Sequence, residues 1–150
     1  MREKANHVMN QVDRAKLRRG VVAVIVRCDR FLVIRRSQHI EAAGAYCFPG
    51  GGIEEGESEK AALFRELREE LDVRIVPVRR IWRSVTSWHV ALAWWTATIE
   101  DDAEITPYTP EVETYEWLTA KQMRALPALL QSNRHFLDAL ECDELSLDGE

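Results

Sequence analysis

The chain is poor in the features that mark several functional classes. Its three cysteines, Cys28, Cys47 and Cys142, form no CxxC pair and no regular spacing. That argues against a zinc site or a disulfide framework and predicts buried or inert thiols in a reducing cytosol. No stretch supplies the roughly 20 apolar residues of a membrane span, and the opening segment MREKANHVMNQVDRAKLRRG lacks the apolar core of a signal peptide. The expectation is a cytoplasmic protein with no membrane partner. Positive charge is also in short supply: 20 Lys and Arg stand against 25 Asp and Glu, a net charge of −5. A nucleic-acid surface needs a basic stripe, so nucleic acid is not the expected partner. A small phosphorylated ligand stays open, because a local site can invert the overall sign.

What is present suits one domain of 150 residues with 46% apolar content. The runs VVAVIVRC and FLVIRR flank Asp29 and Arg30, which predicts a hairpin, and the first run is apolar enough to be buried on both faces. Residues 37–56 read as an ordered loop in which Pro49 precedes three glycines. Ser58 is placed to N-cap a helix reaching about Leu71. On that helix Ala61, Leu63, Phe64, Leu67 and Leu71 share one arc, and Glu59, Glu66, Glu69 and Glu70 the opposite one. Strands are expected over about 75–86 and 88–99, then an acidic loop over 100–110, a short strand TYEWL, and helices near 120–125 and 133–140. The order predicts an α/β layered fold on a mixed sheet, with an arm over 1–19, a domain over 20–142 and a frayed tail over 143–150.

The segment from Gly50 to Val73 holds seven glutamates in 24 residues. A solvated helix face would explain a charged arc, but Glu66 and Glu70 are i,i+4 neighbours, a like-charge spacing that costs a helix roughly 0.2–0.5 kcal/mol. Arg65 and Arg68 lie off the centre of the acid arc. A divalent cation relieves the repulsion better, and magnesium is held by one or two carboxylates, waters and substrate phosphates. Glu66 and Glu70 supply that pair, with Glu69 close enough to add a ligand or accept a proton.

The spacing around these acids resembles the signature of the Nudix hydrolases: Gly51, five residues, Glu57, seven residues, then Arg65, Glu66, Leu67, Arg68, Glu69, Glu70, one residue, Asp72 and Val73. Every defined position matches except Asp72, where the family has glycine. The preceding Gly44–Gly51, with its Phe48, Pro49 and two glycines, and the later run from Glu113 to Leu118 are similar to family segments too, so the likeness covers roughly residues 21–140. It implies an α/β/α sandwich with a mixed sheet, magnesium (with manganese as the alternative), and hydrolysis of a nucleoside diphosphate linked to another group. Glu66 and Glu70 then carry over as metal ligands and Glu69 as ligand or water activator. Arg65 and Glu57 carry over as the pair that fixes the loop and orients Glu66, and Gly51 as a backbone carbonyl ligand. A further carboxylate comes from Glu111 or Glu113.

Among branches, the resemblance favours a MutT-like enzyme acting on nucleoside triphosphates. Asn133, sixteen residues after Trp117, stands where that branch has a base-reading asparagine; the alternative is that it N-caps the last helix. Competing expectations are hydrolysis of ADP-ribose or a dinucleoside polyphosphate, or a nucleotide-sensing module without turnover. The expected partner is a small nucleotide, and a homodimer is a permitted assembly. His89 and His135 lie in no metal-ligand spacing, and Trp82, Trp88, Trp94 and Trp95 lie in strand patterns, where core packing is the default and base stacking the alternative.

Overall fold

The structure, a computed structural model, describes residues 17–148. The N-terminal arm expected over 1–19 falls outside the described residues except for its last three, and the first strand, β1 (Arg18–Val24), already begins within them. The predicted hairpin forms between β2 (Val26–Arg27) and β3 (Arg30–Arg36). Its turn is Cys28–Asp29, one residue earlier than expected. Both residues are left-handed, at φ 51° and 62°, the geometry that a two-residue turn needs to match strand twist.

Two four-stranded sheets form the middle of the molecule. In the first, β5 (Gly50–Gly52), β1, β7 (Val90–Thr98) and β6 (Val76–Val85) lie side by side, β1 and β7 parallel and the other pairs antiparallel. In the second, β3 pairs β8 (Val112–Leu118) along one edge and β2 and β4 (Tyr46–Cys47) along the other. The chain crosses between sheets at Ile25. Alternation then decides the layers. Val21, Ala23, Ile25, Leu32 and Ile34 enter one core with Leu63, Leu67 and Leu71 of α1 (Glu59–Leu71). Val22, Val24, Phe31 and Val33 enter the other with Phe136 and Leu137 of α3 (Gln131–Glu141). A short α2 (Ala120–Arg124) precedes α3. The result is the expected α/β/α sandwich on mixed strands, with β1 buried on both faces.

Ser58 caps α1 as its sequence position suggests, its hydroxyl accepting the Ala61 N–H at 3.1 Å. The faces of α1 differ from the simple two-arc pattern. Ala61 is exposed and Phe64 is 41% exposed, whereas Glu70 is buried, at 5%. The cause is the neighbouring strand: β5 is three glycines, so its backbone closes on a helix side that side chains would otherwise hold open. The C-terminal carbonyls of α1 are met by the following loop, with the Thr106 N–H on Leu71 O at 2.9 Å and the Tyr108 N–H on Glu70 O at 2.8 Å.

Two further segments depart from expectation. Trp88 lies in the turn between β6 and β7 rather than in a strand, since Thr86 and Val90 pair across it. The segment after Cys142 is not wholly frayed: Leu145 is buried in the α3-side core, because an apolar side chain within reach of Phe136 gains more by burial than a free tail gains in entropy.

Asp72 ends α1 in the left-handed conformation, φ 52° and ψ 39°, its N–H meeting the carbonyls of Arg68 and Leu67. Its carboxylate gains only a solvent-exposed contact with Arg68 at 3.6 Å, worth a few tenths of a kcal/mol. Glycine has no Cβ penalty there, and an acid opposes the negative end of the helix dipole. Asp72→Gly should therefore stabilise the fold by up to ~1 kcal/mol; a lower denaturation midpoint in urea would contradict this account.

Candidate active site

The site is built on the contact between β5 and α1. A Cβ on Gly51 would overlap the carboxylate of Glu66, and one on Gly50 would overlap the Val21 carbonyl, so only glycine lets strand, neighbour strand and helix acid meet. Val21 and Gly51 are opposed residues of the antiparallel ladder, with the next bonded pairs on each side seen in Ile53 N–H on Arg19 O and Ala23 N–H on Pro49 O. Gly51 therefore directs its carbonyl toward β1. Gly50 directs its peptide the other way, and its N–H donates to Glu70 Oε1 at 2.9 Å. The backbone group that faces the acids thus belongs to Gly50, one residue before the glycine expected from sequence.

Arg65 organises the acids around this contact. Its Nε and Nη2 donate to the two oxygens of Glu57 at 2.8 and 2.9 Å, its Nη2 also to Gly52 O at 2.8 Å, and its Nη1 to Glu66 at 2.9 Å and Glu69 at 3.2 Å. The Arg65 hydrogen bonds hold Glu57 well down in pKa, to about 2. Glu57 in turn accepts the Glu54 N–H at 3.0 Å, which closes the loop ahead of α1. The sequence pairing of Arg65 with Glu57 is realised as a two-point clamp.

Glu66 and Glu70 are in a different condition. Burial raises the pKa of Glu66 against the pull of Arg65, with Glu69 and Glu111 adding repulsion. Burial pushes Glu70 up to about 8, helped by the charges of Glu66 and Glu111 and opposed by the Gly50 N–H. Glu111 thus lies near enough to both acids for its charge to act on them. Glu113 points elsewhere and pairs with Arg35 at 3.4 Å. Among the described residues no three acids already converge as a cage for an ion, because Arg65 and Gly50 hold their oxygens. The donor chemistry nevertheless fits a hard divalent cation: all-oxygen, like-charged, partly desolvated, and placed against a strand with no side chains.

Across β5 lies a cleft of about 310 Å³, lined by Gly50–Gly52, Arg18, Arg19, Arg36, Phe48, Trp88, Leu130 and Asn133, with Glu41 as its acidic wall residue. Arg36 was not singled out by sequence. A register shift between Arg35 and Arg36 in β3 separates their directions, and Arg36 ends close enough to Glu70 and Cys47 to lower both pKa values. The signal was the arginine pair closing an apolar strand. Burial outweighs that pull at Cys47 and takes its thiol up to about 12, so it is inert; Cys28 and Cys142 are exposed and free. Asn133 is 3% exposed, inside α3 rather than capping it, since Leu130 holds the cap position. Its Oδ1 accepts the Phe48 N–H at 2.9 Å and its Nδ2 donates to Ser132 at 3.2 Å. His89 and His135 are exposed.

A domain model described as the NUDIX domain matches residues 16–140. The chain belongs to the Nudix family. It is similar to the NAD-capped RNA hydrolase NudC of Pseudomonas syringae pv. syringae, with 28% identity over 123 residues, 80% of this chain and 42% of that protein. It is similar over a shorter stretch to the CTP pyrophosphohydrolase of Escherichia coli, with 43% identity over 53 residues, 35% of this chain and 39% of that one. This Nudix chain therefore spans about two fifths of the length of those curated relatives. Among solved structures, the MutT protein from Methanosarcina mazei Go1 superposes with a TM-score of 0.70 at 22% identity, covering 85% of this chain and 94% of that one, which is a likeness of fold. No described helix is long and apolar enough to cross a membrane.

Glu70 gives this Nudix fold a pH signature without metal. Its folded pKa of about 8 exceeds the ordinary 4.5, so above pH ~4.5 the unfolded chain releases a proton that the folded chain keeps. Metal-free stability should fall as pH rises from about 4.5 to about 8. Glu70→Gln should flatten that decline and raise metal-free stability at pH 8 by an order of 1–3 kcal/mol. Parallel pH profiles of thermal midpoint for the two proteins would contradict it.

Proposed function

We propose that the chain hydrolyses a phosphoanhydride bond of a nucleotide and that its preferred substrate is a nucleoside triphosphate, cleaved to a monophosphate and pyrophosphate. One observation carries the reading: β5 is a bare glycine partition with Glu66 and Glu70 against one side and an arginine-lined cleft on the other. A phosphate chain lying in that cleft reaches the acids past backbone alone. Magnesium or manganese suits the oxygen set of Glu66, Glu70 and Glu69 with the Gly50 carbonyl. When bound, the ion would neutralise diphosphate oxygens and lower the pKa of an attacking water.

The protein groups then divide the work. Glu69, the most exposed acid of the trio, is within reach of a water and accepts its proton, and Glu111 is favoured over Glu113 as the additional acid because Glu113 is held by Arg35. Arg65 and Glu57 act by position, holding Glu66 against Gly51. Arg18 and Arg36 neutralise phosphate charge. Asn133 keeps one amide N–H beyond the bond to Ser132, which is available to a base edge. Relatives named CTP pyrophosphohydrolase and putative 8-oxo-dGTP diphosphatase 2 support the triphosphate reading. The relatives named NAD-capped RNA hydrolase favour a second reading, a nucleotide-capped RNA end. The full set of Glu57, Glu66, Glu69 and Glu70 weighs against a sensor without turnover.

Purified protein with magnesium should convert at least one triphosphate to monophosphate and pyrophosphate faster than it cleaves ADP-ribose, dinucleoside polyphosphates or NAD-capped RNA; a panel in which one of those leads would overturn the triphosphate assignment. Glu70→Gln should abolish magnesium-dependent turnover with an unchanged circular dichroism spectrum. Equal turnover at saturating magnesium would remove Glu70 from the metal site.

Asn133→Ala should lower kcat/KM for the best base more than for the others, by roughly 1–3 kcal/mol of discrimination. It should also cost about 1–3 kcal/mol of stability, since the Phe48 N–H loses its partner. A stability loss with an even fall across all bases would make Asn133 a brace for Phe48 alone.

A further inference from the structure

The fold makes use of four of its tryptophans. Trp94 stacks on Phe136 at 4.8 Å and packs with Trp82 at 5.5 Å. Trp95 donates its indole N–H to Glu59 at 2.9 Å, and Trp117 lies under Arg27 at 4.7 Å. Trp88 is different: it is 63% exposed at the turn between β6 and β7. The turn that carries it is firmly built. The Thr86 hydroxyl accepts the N–H groups of Trp88 at 3.2 Å and Val90 at 3.1 Å, Thr86 N–H meets Val90 O at 2.9 Å, and His89 N–H meets Thr86 O at 3.0 Å with His89 left-handed at φ 60°. A well-anchored turn thus presents a large ring that contributes little to either core.

That ring stands at the mouth of the glycine-floored cleft, together with Leu130, Ser132 and Asn133 from the start of α3. Among the described residues, Trp88 is the one exposed large apolar side chain that lines this cleft. A second hollow of about 360 Å³, lined by Thr86, Trp88, Gln131 and His135, adjoins it, so no protein group fills the space beside the indole. Within one cleft, then, arginines and bare backbone sit toward the acids and an unoccupied aromatic surface sits at the rim. A nucleotide has the same two ends, phosphates and an aromatic base.

Resting on the nucleotide reading above, we propose that Trp88 is the stacking platform for the substrate's base, a binding residue that holds any base through its π face. Stacking of this kind is tolerant of base identity. Its loss therefore acts evenly across bases, unlike the loss of an edge-reading amide.

The test is binding and turnover by Trp88→Ala, Trp88→Phe and Trp88→Leu. The α,β-methylene analogues of the four deoxynucleoside triphosphates, and inorganic tripolyphosphate, are titrated with magnesium by calorimetry and by tryptophan fluorescence. For the natural triphosphates kcat and KM are measured. Trp88→Ala should weaken every analogue and raise every KM roughly 5- to 100-fold, with kcat within about twofold and tripolyphosphate affinity unchanged. Trp88→Phe should recover most of the loss and Trp88→Leu little, which separates aromatic stacking from bulk. The analogues, and not tripolyphosphate, should quench wild-type fluorescence, and Trp88→Phe should remove that quench. Analogue affinities in Trp88→Ala within twofold of wild type, equal weakening of tripolyphosphate, or full rescue by Trp88→Leu would each overturn the platform. If wild type cleaves no triphosphate, the same variants titrated with NAD and ADP-ribose decide the platform separately from the substrate assignment.

Discussion

The Arg65 guanidinium is where strand, loop and helix are joined. It reaches Gly52 O in β5, both oxygens of Glu57 in the loop, and Glu66 and Glu69 on its own helix. Bonds to Glu57, more than to any other partner, raise its pKa above the ordinary arginine value against the opposing effect of burial. A planar fork can serve several carboxylates at once in a way that a lysine ammonium cannot. Without it, the acids between Glu54 and Glu70 would repel one another and the loop would lose its anchor.

One guanidinium cannot neutralise all of those acids. Glu57 takes two of its hydrogen bonds, and Glu70, buried and not among its partners, keeps a raised pKa. The helix therefore contains a carboxylate that folding alone leaves uncomfortable, next to a peptide N–H that only partly compensates. Strongly shifted acids of this kind gather at functional sites. Nudix hydrolases generally use a divalent metal, and the acid side of β5 has oxygen donors of the type that such an ion takes.

Local signals in the sequence located much of this. The alternating and fully apolar runs gave β1 and β3, Ser58 gave the start of α1, and the carboxylate spacing gave the acids before any packing was known. What the sequence left open depended on contacts between distant segments. Helical periodicity describes a helix in isolation, so Glu70 falls on the outer arc although the glycine strand buries it, and Phe64 on the inner arc although it stays partly exposed. Glu111 lies in the turn just before β8 and Glu113 within it, and only tertiary neighbours, the α1 acids for one and Arg35 for the other, separate them. Gly50 and Gly51 differ by one step of a ladder whose phase is set by β1. Trp88 reads as a strand residue by propensity, yet Thr86 and Val90 close a turn around it.

The loop after β7 is hydrogen-bonded to the backbone carbonyls of Glu70 and Leu71, the same turn of helix that carries the buried carboxylate. Tyr108 O in turn accepts the Glu111 N–H at 2.9 Å, so Glu111 is linked to the turn of helix that carries Glu70 by a short run of backbone hydrogen bonds. The start of α3 is tied to the other end of β5's approach, with the Leu130 N–H on Tyr46 O at 2.9 Å and the Phe48 N–H on Asn133 Oδ1 at 2.9 Å. The glycine strand is thus framed by main-chain hydrogen bonds to both helices, and the spacing of the acids is a property of the main chain as much as of the side chains.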